Sequence, residues 1–324
     1  MAVISLQIGE NMSNANLNAA GIAKDDEFYT QYPDIEKELN RYSRYFRGKV
    51  IYCNCDDHFG IGMGTPKSNF LKYFADNFES FGIKRVIATH YNRDGKSSMY
   101  ILDHDNTGDG IICSEDISEI PLNSDGDFRS AECIKLLKQA DIVITNPPFS
   151  LFREYVAQLM EYKKKFIIIG NDNCRTYKEI FPLIQNNKIW CGYNHVKEFF
   201  KPDGTIKKFG NVGWYTNMPN SRRNEVLDTG KVYRGYENQY KKYDNYEAIN
   251  VDKTSDIPMD FFDVMGVPIT FIDKYNPEQF EIVGLIAGNI KGLSGLKSMT
   301  GKNGPYIDGK LRFGRILIRR KKGN

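Results

Sequence analysis

The residues best suited to chemistry are Asn146-Pro147-Pro148-Phe149, which close the apolar run Asp141-Ile142-Val143-Ile144-Thr145 and stand directly before Ser150. Two successive prolines fix two φ angles and remove two N–H groups, so the turn is stiff and its carbonyls stay free to accept. An amino group conjugated to a ring is a poor nucleophile, because its lone pair is delocalised. The Asn146 side-chain oxygen and the Pro147 carbonyl can accept its two N–H bonds from directions that favour a pyramidal nitrogen. Charge developing in the transition state is then stabilised and the lone pair is aimed at an electrophile. Phe149 supplies a flat apolar face for the ring to stack on. Together the four residues describe a holder for an amino-purine or for a planar amide.

The elements that must position this corner follow from periodicity. Leu151, Phe152, Tyr155, Val156 and Leu159 predict a helix after the corner, capped by Ser150. Upstream, Ile35, Leu39, Tyr42 and Phe46 fall at helical spacing, and Lys49 to Cys53 reads as a strand running into Asn54, Asp56 and Asp57. A loop with Gly60, Gly62 and Gly64 leads to a helix capped by Ser68 and buried through Leu71, Phe74 and Phe78. Arg85 to Thr89 and Phe166 to Ile169 are further apolar strands, and residues 92 to 126 read as loop with a short strand at Ile111-Ile112-Cys113. Thr176 with Glu179 forms a capping-box pattern, and Pro182 should shorten the helix it opens. Wholly apolar strands alternating with amphipathic helices predict an α/β fold, a mostly parallel sheet with helices on both faces. Such sheets bind ligands at the carboxyl ends of their strands, where the Asn54 to Asp57 and Asn146 turns lie.

The composition fits an ordinary globular chain: 324 residues, 41% apolar and 26% charged, which excludes disorder and collagen-like repeats. No apolar run approaches the ~20 residues of a membrane-spanning helix, so no membrane is expected as a partner and a cytoplasmic location is. The six cysteines are too sparse for a disulfide framework and read as reduced, mostly buried thiols. Net charge is +3, but residues 1–200 carry 23 − 27 = −4 and residues 201–324 carry 21 − 14 = +7. The C-terminal part is the one that would face a polyanion. We expect a flexible arm over residues 1–24, a catalytic domain over 25–218 and a smaller, basic recognition region over 219–324.

The segments Asp26-Glu27-Phe28-Tyr29-Thr30-Gln31-Tyr32, Tyr52-Cys53-Asn54-Cys55-Asp56-Asp57, Gly126-Asp127-Phe128-Arg129-Ser130 and Thr145-Asn146-Pro147-Pro148-Phe149-Ser150-Leu151-Phe152-Arg153-Glu154-Tyr155 resemble, in order, the adenine-specific DNA methyltransferases of the EcoRI type. The resemblance is close over residues 25 to about 190. It implies the class I, Rossmann-like fold dependent on S-adenosylmethionine, and methyl transfer to the 6-amino nitrogen of adenine in duplex DNA. Carried over by position, Asn146, Pro147, Pro148 and Phe149 hold the target base, with Asn146 also beside the cofactor. Asp127 and Phe128 match the segment that recognises the cofactor's adenine. Tyr29 and Thr30 match the segment that closes on its methionine end, and Asp56 and Asp57 lie where the first strand meets it. His58 stands where that family's first glycine loop has proline, so either Asp56 or Asp57 is the contact. The ribose partner stays open, Asp94 being the first acid after the second strand. The resemblance also admits a cognate restriction endonuclease acting on the same site, and a monomer is expected.

Duplex DNA hides the adenine amino group in its stack, so the nucleotide must rotate out and be supported on a second face. Trp214 or Tyr215 is the candidate ring, with core packing the alternative. Arg222 and Arg223 are candidates for phosphate or guanine contacts, with a solvated loop the alternative. Arg319-Arg320-Lys321-Lys322 suits phosphate attraction or a solubilising tail. The scattered histidines suggest no metal site. Two other functions fit the same corner: methylation of a protein glutamine amide, and non-catalytic DNA binding on a methyltransferase scaffold.

Overall fold

The computed structural model describes residues 28–56, 69–92, 95–201 and 204–322. The expected N-terminal arm, Asp57, His58, the glycine loop, the Ser68 cap and Asp94 lie outside them. The chain forms two compact units: one from the chain up to Asp172 together with Asn194–Trp214, the other from Asn173–Tyr193 together with the chain from Tyr215 onward. The stretch Asn173–Tyr193 thus goes with the C-terminal part, where the sequence suggests a single boundary.

The strands up to Thr216 are β1 (Tyr29–Thr30), β2 (Val50–Asn54), β3 (Arg85–Thr89), β4 (Ser98–Leu102), β5 (Ser118–Pro121), β6 (Ile142–Thr145), β7 (Lys165–Asn171), β8 (Trp190–His195), β9 (Glu198–Phe200), β10 (Ile206–Lys208) and β11 (Val212–Thr216). Eight of them make one sheet in the order β5-β4-β3-β2-β6-β7-β11-β8, and β1-β9-β10 make a small antiparallel one. β2 lies parallel to both β3 and β6, and β6 parallel to β7, the fully apolar strands that mark a sheet covered on its faces. β4 and β5 add an antiparallel edge.

That edge corrects the loop reading of residues 92–126. The strands are Ser98–Leu102 and Ser118–Pro121, whereas Ile111 is exposed and Cys113 caps a short turn. The chain between them winds around two carboxylates: Asp105 accepts from the Gly108 and Gly110 amides, and Asp116 accepts from those of Asn106, Thr107 and Cys113. Such side-chain acceptors replace the ladder a strand at Ile111 would have made.

The first helix, Tyr32–Leu39, runs into a tighter turn, and Ile35, Leu39, Tyr42 and Phe46 are all fully buried as the spacing predicts. Two cap expectations fail. The helix Phe152–Glu161 begins after a tight turn at Phe149–Leu151, with Leu151 rather than Ser150 at its cap position. Thr176 spends its hydroxyl on the Asn173 carbonyl, and the next helix starts only at Phe181, with Pro182 in its first turn. All six cysteines are free thiols; Cys53, Cys133 and Cys174 are buried and the other three half-buried.

The second unit carries β12 (Ile249–Asn250), β13 (Val264–Pro268), β14 (Phe280–Ile286), β15 (Tyr306–Ile307), β16 (Lys310–Leu311) and β17 (Arg315–Arg320). Its sheet runs β12-β13-β17-β14, with β15 and β16 a separate hairpin. The core beneath includes Tyr243, Tyr246, Val264, Ile286 and Leu317. Among the described residues no helix is long and apolar enough to cross a membrane, and no group of three His, Cys, Asp or Glu side chains could hold a metal ion.

Candidate active site

β6 delivers its buried Thr145 hydroxyl to the Asn54 carbonyl, which locks the ends of β6 and β2 together just before the proline corner. Leu151 N–H then closes the turn on the Pro148 carbonyl at 3.0 Å. Asn146 Nδ2 donates to the Phe28 carbonyl at 2.6 Å, which fixes the amide's orientation. Its Oδ1 is buried and has no partner among the described residues. A buried acceptor left unmade costs free energy, so such an atom marks either strain or a place kept for a ligand.

Phe149 does not present a bare face. It is 8% exposed, and Phe28 stacks on it at 5.9 Å with 29° between the planes. Phe199 and Phe209 meet it edge-on at 6.3 and 5.9 Å, and Phe28 and Phe209 touch at 4.8 Å. Phe199 is buried, but Phe28 and Phe209 are only half-buried, so the cluster is closest to solvent along these two rings.

Trp214 and Tyr215 are placed differently from the expectation. Both are 1% exposed within β11, whose five residues are all buried. Trp214 packs edge-on against Phe70 at 6.1 Å, and the Tyr215 hydroxyl accepts from Arg175 Nε at 2.9 Å. The rings gathered on Phe149 are instead Phe28, Phe199 and Phe209. A sequence signal for them existed only in hindsight: Glu198-Phe199-Phe200 and Phe209 flank a basic hairpin that carries no motif.

Thr30 and Tyr29 sit on β1, paired with Phe199 and Phe200 of β9. Asn69 Nδ2 donates to the Thr30 carbonyl at 2.7 Å, while the buried Thr30 Oγ1 has no partner among the described residues. Trp214 Nε1, on the ring that meets the adjacent Phe70, is likewise buried and without a partner among the described residues.

Asp56, 1% exposed, accepts from Leu71 N–H at 2.9 Å and so ties the end of β2 to the helix Phe70–Asp76. Asn69, not Ser68, holds that helix's cap position, and its side chain makes no cap bond. Asp127 is bound by Arg129 through Nε at 2.9 Å and Nη2 at 2.6 Å, which holds its carboxyl below the usual carboxylate range. Phe128 is buried edge-on to Tyr155 at 5.1 Å. The preceding Gly126 has φ +80°, and a Cβ there would stand 1.9 Å from the His90 carbonyl oxygen, so only glycine lets this loop close on the end of β3.

Between these ends lies a buried polar network that includes Tyr52 and Asn54 of the second family-like segment. The Tyr155 hydroxyl donates to Asn54 Oδ1 at 2.8 Å, and Tyr52 Oη shares a 2.9 Å bond with Thr89 Oγ1. Burial pushes the Tyr52 and Tyr155 hydroxyls far above the ordinary phenol value, so both stay protonated. They tie the carboxyl ends of β2 and β3 to each other and to the helix Phe152–Glu161, where a ligand of this sheet would lie.

In the second unit, Arg222 donates to the Tyr193 carbonyl at 2.7 Å and lines an open cleft of about 550 Å³ with Asp228, Thr229, Ser255, Asp273 and Lys274. Arg223 packs over Trp190 at 4.1 Å and donates to Asn187 at 2.6 Å. Arg222 therefore borders the cleft while its guanidinium holds the Tyr193 carbonyl, whereas the guanidinium of Arg223 is spent on Trp190 and Asn187.

Residues 16–321 match the family described as adenine-specific methyltransferase EcoRI. The chain is 45% identical to the type II methyltransferase M.EcoRI of Escherichia coli over 97% of its own length and 99% of the relative's. It is 36% identical to the type II methyltransferase M.MpnI of Mycoplasma pneumoniae, over 94% and 98%. A Mycoplasma genitalium type II methyltransferase, M.MgeORF184P, is 33% identical over 94% and 99%.

Proposed function

Because the chain belongs to the EcoRI family of adenine-specific methyltransferases, and so is an enzyme that methylates adenine in DNA, we propose that its proline corner receives an adenine rotated out of duplex DNA. Asn146 Oδ1 and the Pro147 carbonyl accept the two N–H bonds of the 6-amino group and hold its lone pair toward the donor. The observation that carries this reading is the buried, unpartnered Asn146 Oδ1, held in orientation by the Phe28 carbonyl.

The base stacks on the face of Phe149 that Phe28 covers, with Phe199 and Phe209 closing the sides. Entry therefore requires the Phe28 ring to turn aside, and the half-buried Phe209 is the second support. This replaces Trp214 and Tyr215 as candidates for that face.

S-adenosylmethionine supplies, when bound, a methyl group activated on a sulfonium. The orphaned Thr30 Oγ1 and Trp214 Nε1 fit a polar ligand that needs a hydroxyl and an N–H donor. Thr30 and Tyr29 would face its methionine end, and Phe128 would pack on its adenine. Asp127 would keep its Arg129 bonds and offer a remaining lone pair to the cofactor's amino group. Asp56 acts through the helix it holds, as a positioning residue.

Residues 219–324 would read the DNA, with Arg222 the better placed of the two arginines. A cognate restriction endonuclease, a monomeric state and a cytoplasmic location belong to the same proposal. Sequencing modified bases in DNA from cells expressing the protein tests it: N6-methyladenine should appear at one recurrent sequence. DNA free of that base would refute the reading.

A further inference from the structure

We propose that Phe313 is a wedge that enters the base stack of duplex DNA, set in a rim of cations that holds the flanking phosphates; the inference rests on the reading of DNA as the substrate.

Phe313 is 87% exposed. A lone exposed ring needs no explanation in general, but this one is held out by an anchored backbone. The buried Arg315 donates Nη1 to the Phe313 carbonyl at 3.1 Å and to the Gly314 carbonyl at 3.3 Å, and its Nε donates to Asn250 Oδ1 at 3.2 Å. On the other side Arg312 N–H donates to the Pro305 carbonyl at 2.8 Å. The ring is thus a preorganised projection.

Its surroundings select the partner. Residues 282–322 contain ten Lys and Arg but one acid, Asp308, which is paired with Lys241 at 2.6 Å. Lys291, Lys297, Lys302, Lys310 and Arg312 are all exposed, and none makes an ion pair among the described residues. The buried Asn245 ties this segment together: it donates to the Lys302 and Gly304 carbonyls and accepts from Tyr306 N–H, and its own carbonyl takes Met299 N–H. A protein-docking patch would have a rim of mixed charge, whereas a segment with ten cations to one acid that also carries a projecting ring matches a polyanion built of stacked bases. Inserting the ring partly unstacks one step, which lowers the work of rotating a nucleotide out.

The test is filter binding of linearised plasmid duplex, without cofactor, across a salt series. Phe313→Ala should bind about tenfold more weakly, with the salt dependence of the wild type because no charge is lost. Arg312→Ala should lower the magnitude of the salt slope by about one. Phe313→Trp should bind like the wild type, and its added indole emission should be quenched by the DNA. Phe313→Ala binding as tightly as the wild type, indole emission indifferent to DNA, or a wild-type dimer that Phe313→Ala dissociates would each overturn the wedge. Methylation of the same plasmid by the wild type is scored separately, so a failed wedge and a failed substrate reading give different results.

Discussion

Asn146 and Trp214 each bury a polar atom without a partner, yet their loss should show in different measurements. Asn146→Ala removes a preorganised acceptor and little packing, so methylation should fall at least ~100-fold with the thermal midpoint nearly unchanged. Near-normal turnover would remove Asn146 from the role given to it. Trp214→Ala instead empties a fully buried site in β11 and should cost roughly 3–5 kcal/mol in urea unfolding. Phe209, half-buried at the opening of the phenylalanine cluster, lies between the two. Its replacement by Ala should lower kcat/KM about tenfold, the size of one lost base-stacking contact, with a smaller loss of stability than at position 214. An unchanged kcat/KM would assign the base's second support to another ring.

Among the elements, the loop wound around Asp116 makes a prediction with a definite sign. The Cys113, Thr107 and Asn106 amides hold this carboxyl down at about 2. Its folded value is depressed, so its contribution to stability is present above the ordinary carboxylate value near ~4 and is lost as pH falls toward the folded one. Wild-type stability should drop between about pH 4 and pH 2, and Asp116→Asn should be less stable at pH 7 but lose less across that window. Equal slopes would refute the capping role. This loop was also the part of the fold least legible beforehand. The parallel strands β2, β3, β6 and β7 announce themselves because both faces are buried and every residue is apolar or nearly so. β4 and β5 mix polar and apolar residues at an edge, amid Asp, Asn and Gly, and leave no comparable trace. The corner itself was legible because two prolines in a row have few other uses. The ring partners of Phe149 were not, because Phe28 and the hairpin that carries Phe199 and Phe209 lie in segments that only tertiary folding brings to the corner.

At the scale of the whole chain, the orphaned Thr30 and Trp214 atoms imply that a ligand completes the fold it binds. S-adenosylmethionine at 100 times its dissociation constant should stabilise the protein by about 2.7 kcal/mol. Thr30→Val should weaken binding and so reduce that shift at the same ligand concentration; an equal shift would place the cofactor away from Thr30. The central claim is that an oxygen at Asn146 presents the 6-amino group of adenine for methylation. Incubating the protein and unmodified duplex DNA with S-adenosylmethionine carrying a trideuterated methyl group, then hydrolysing the DNA for mass spectrometry, tests it most directly. The account predicts trideuterated N6-methyladenine from the wild type and almost none from Asn146→Ala. Label on cytosine or on a protein glutamine, or equal label from both proteins, would contradict it.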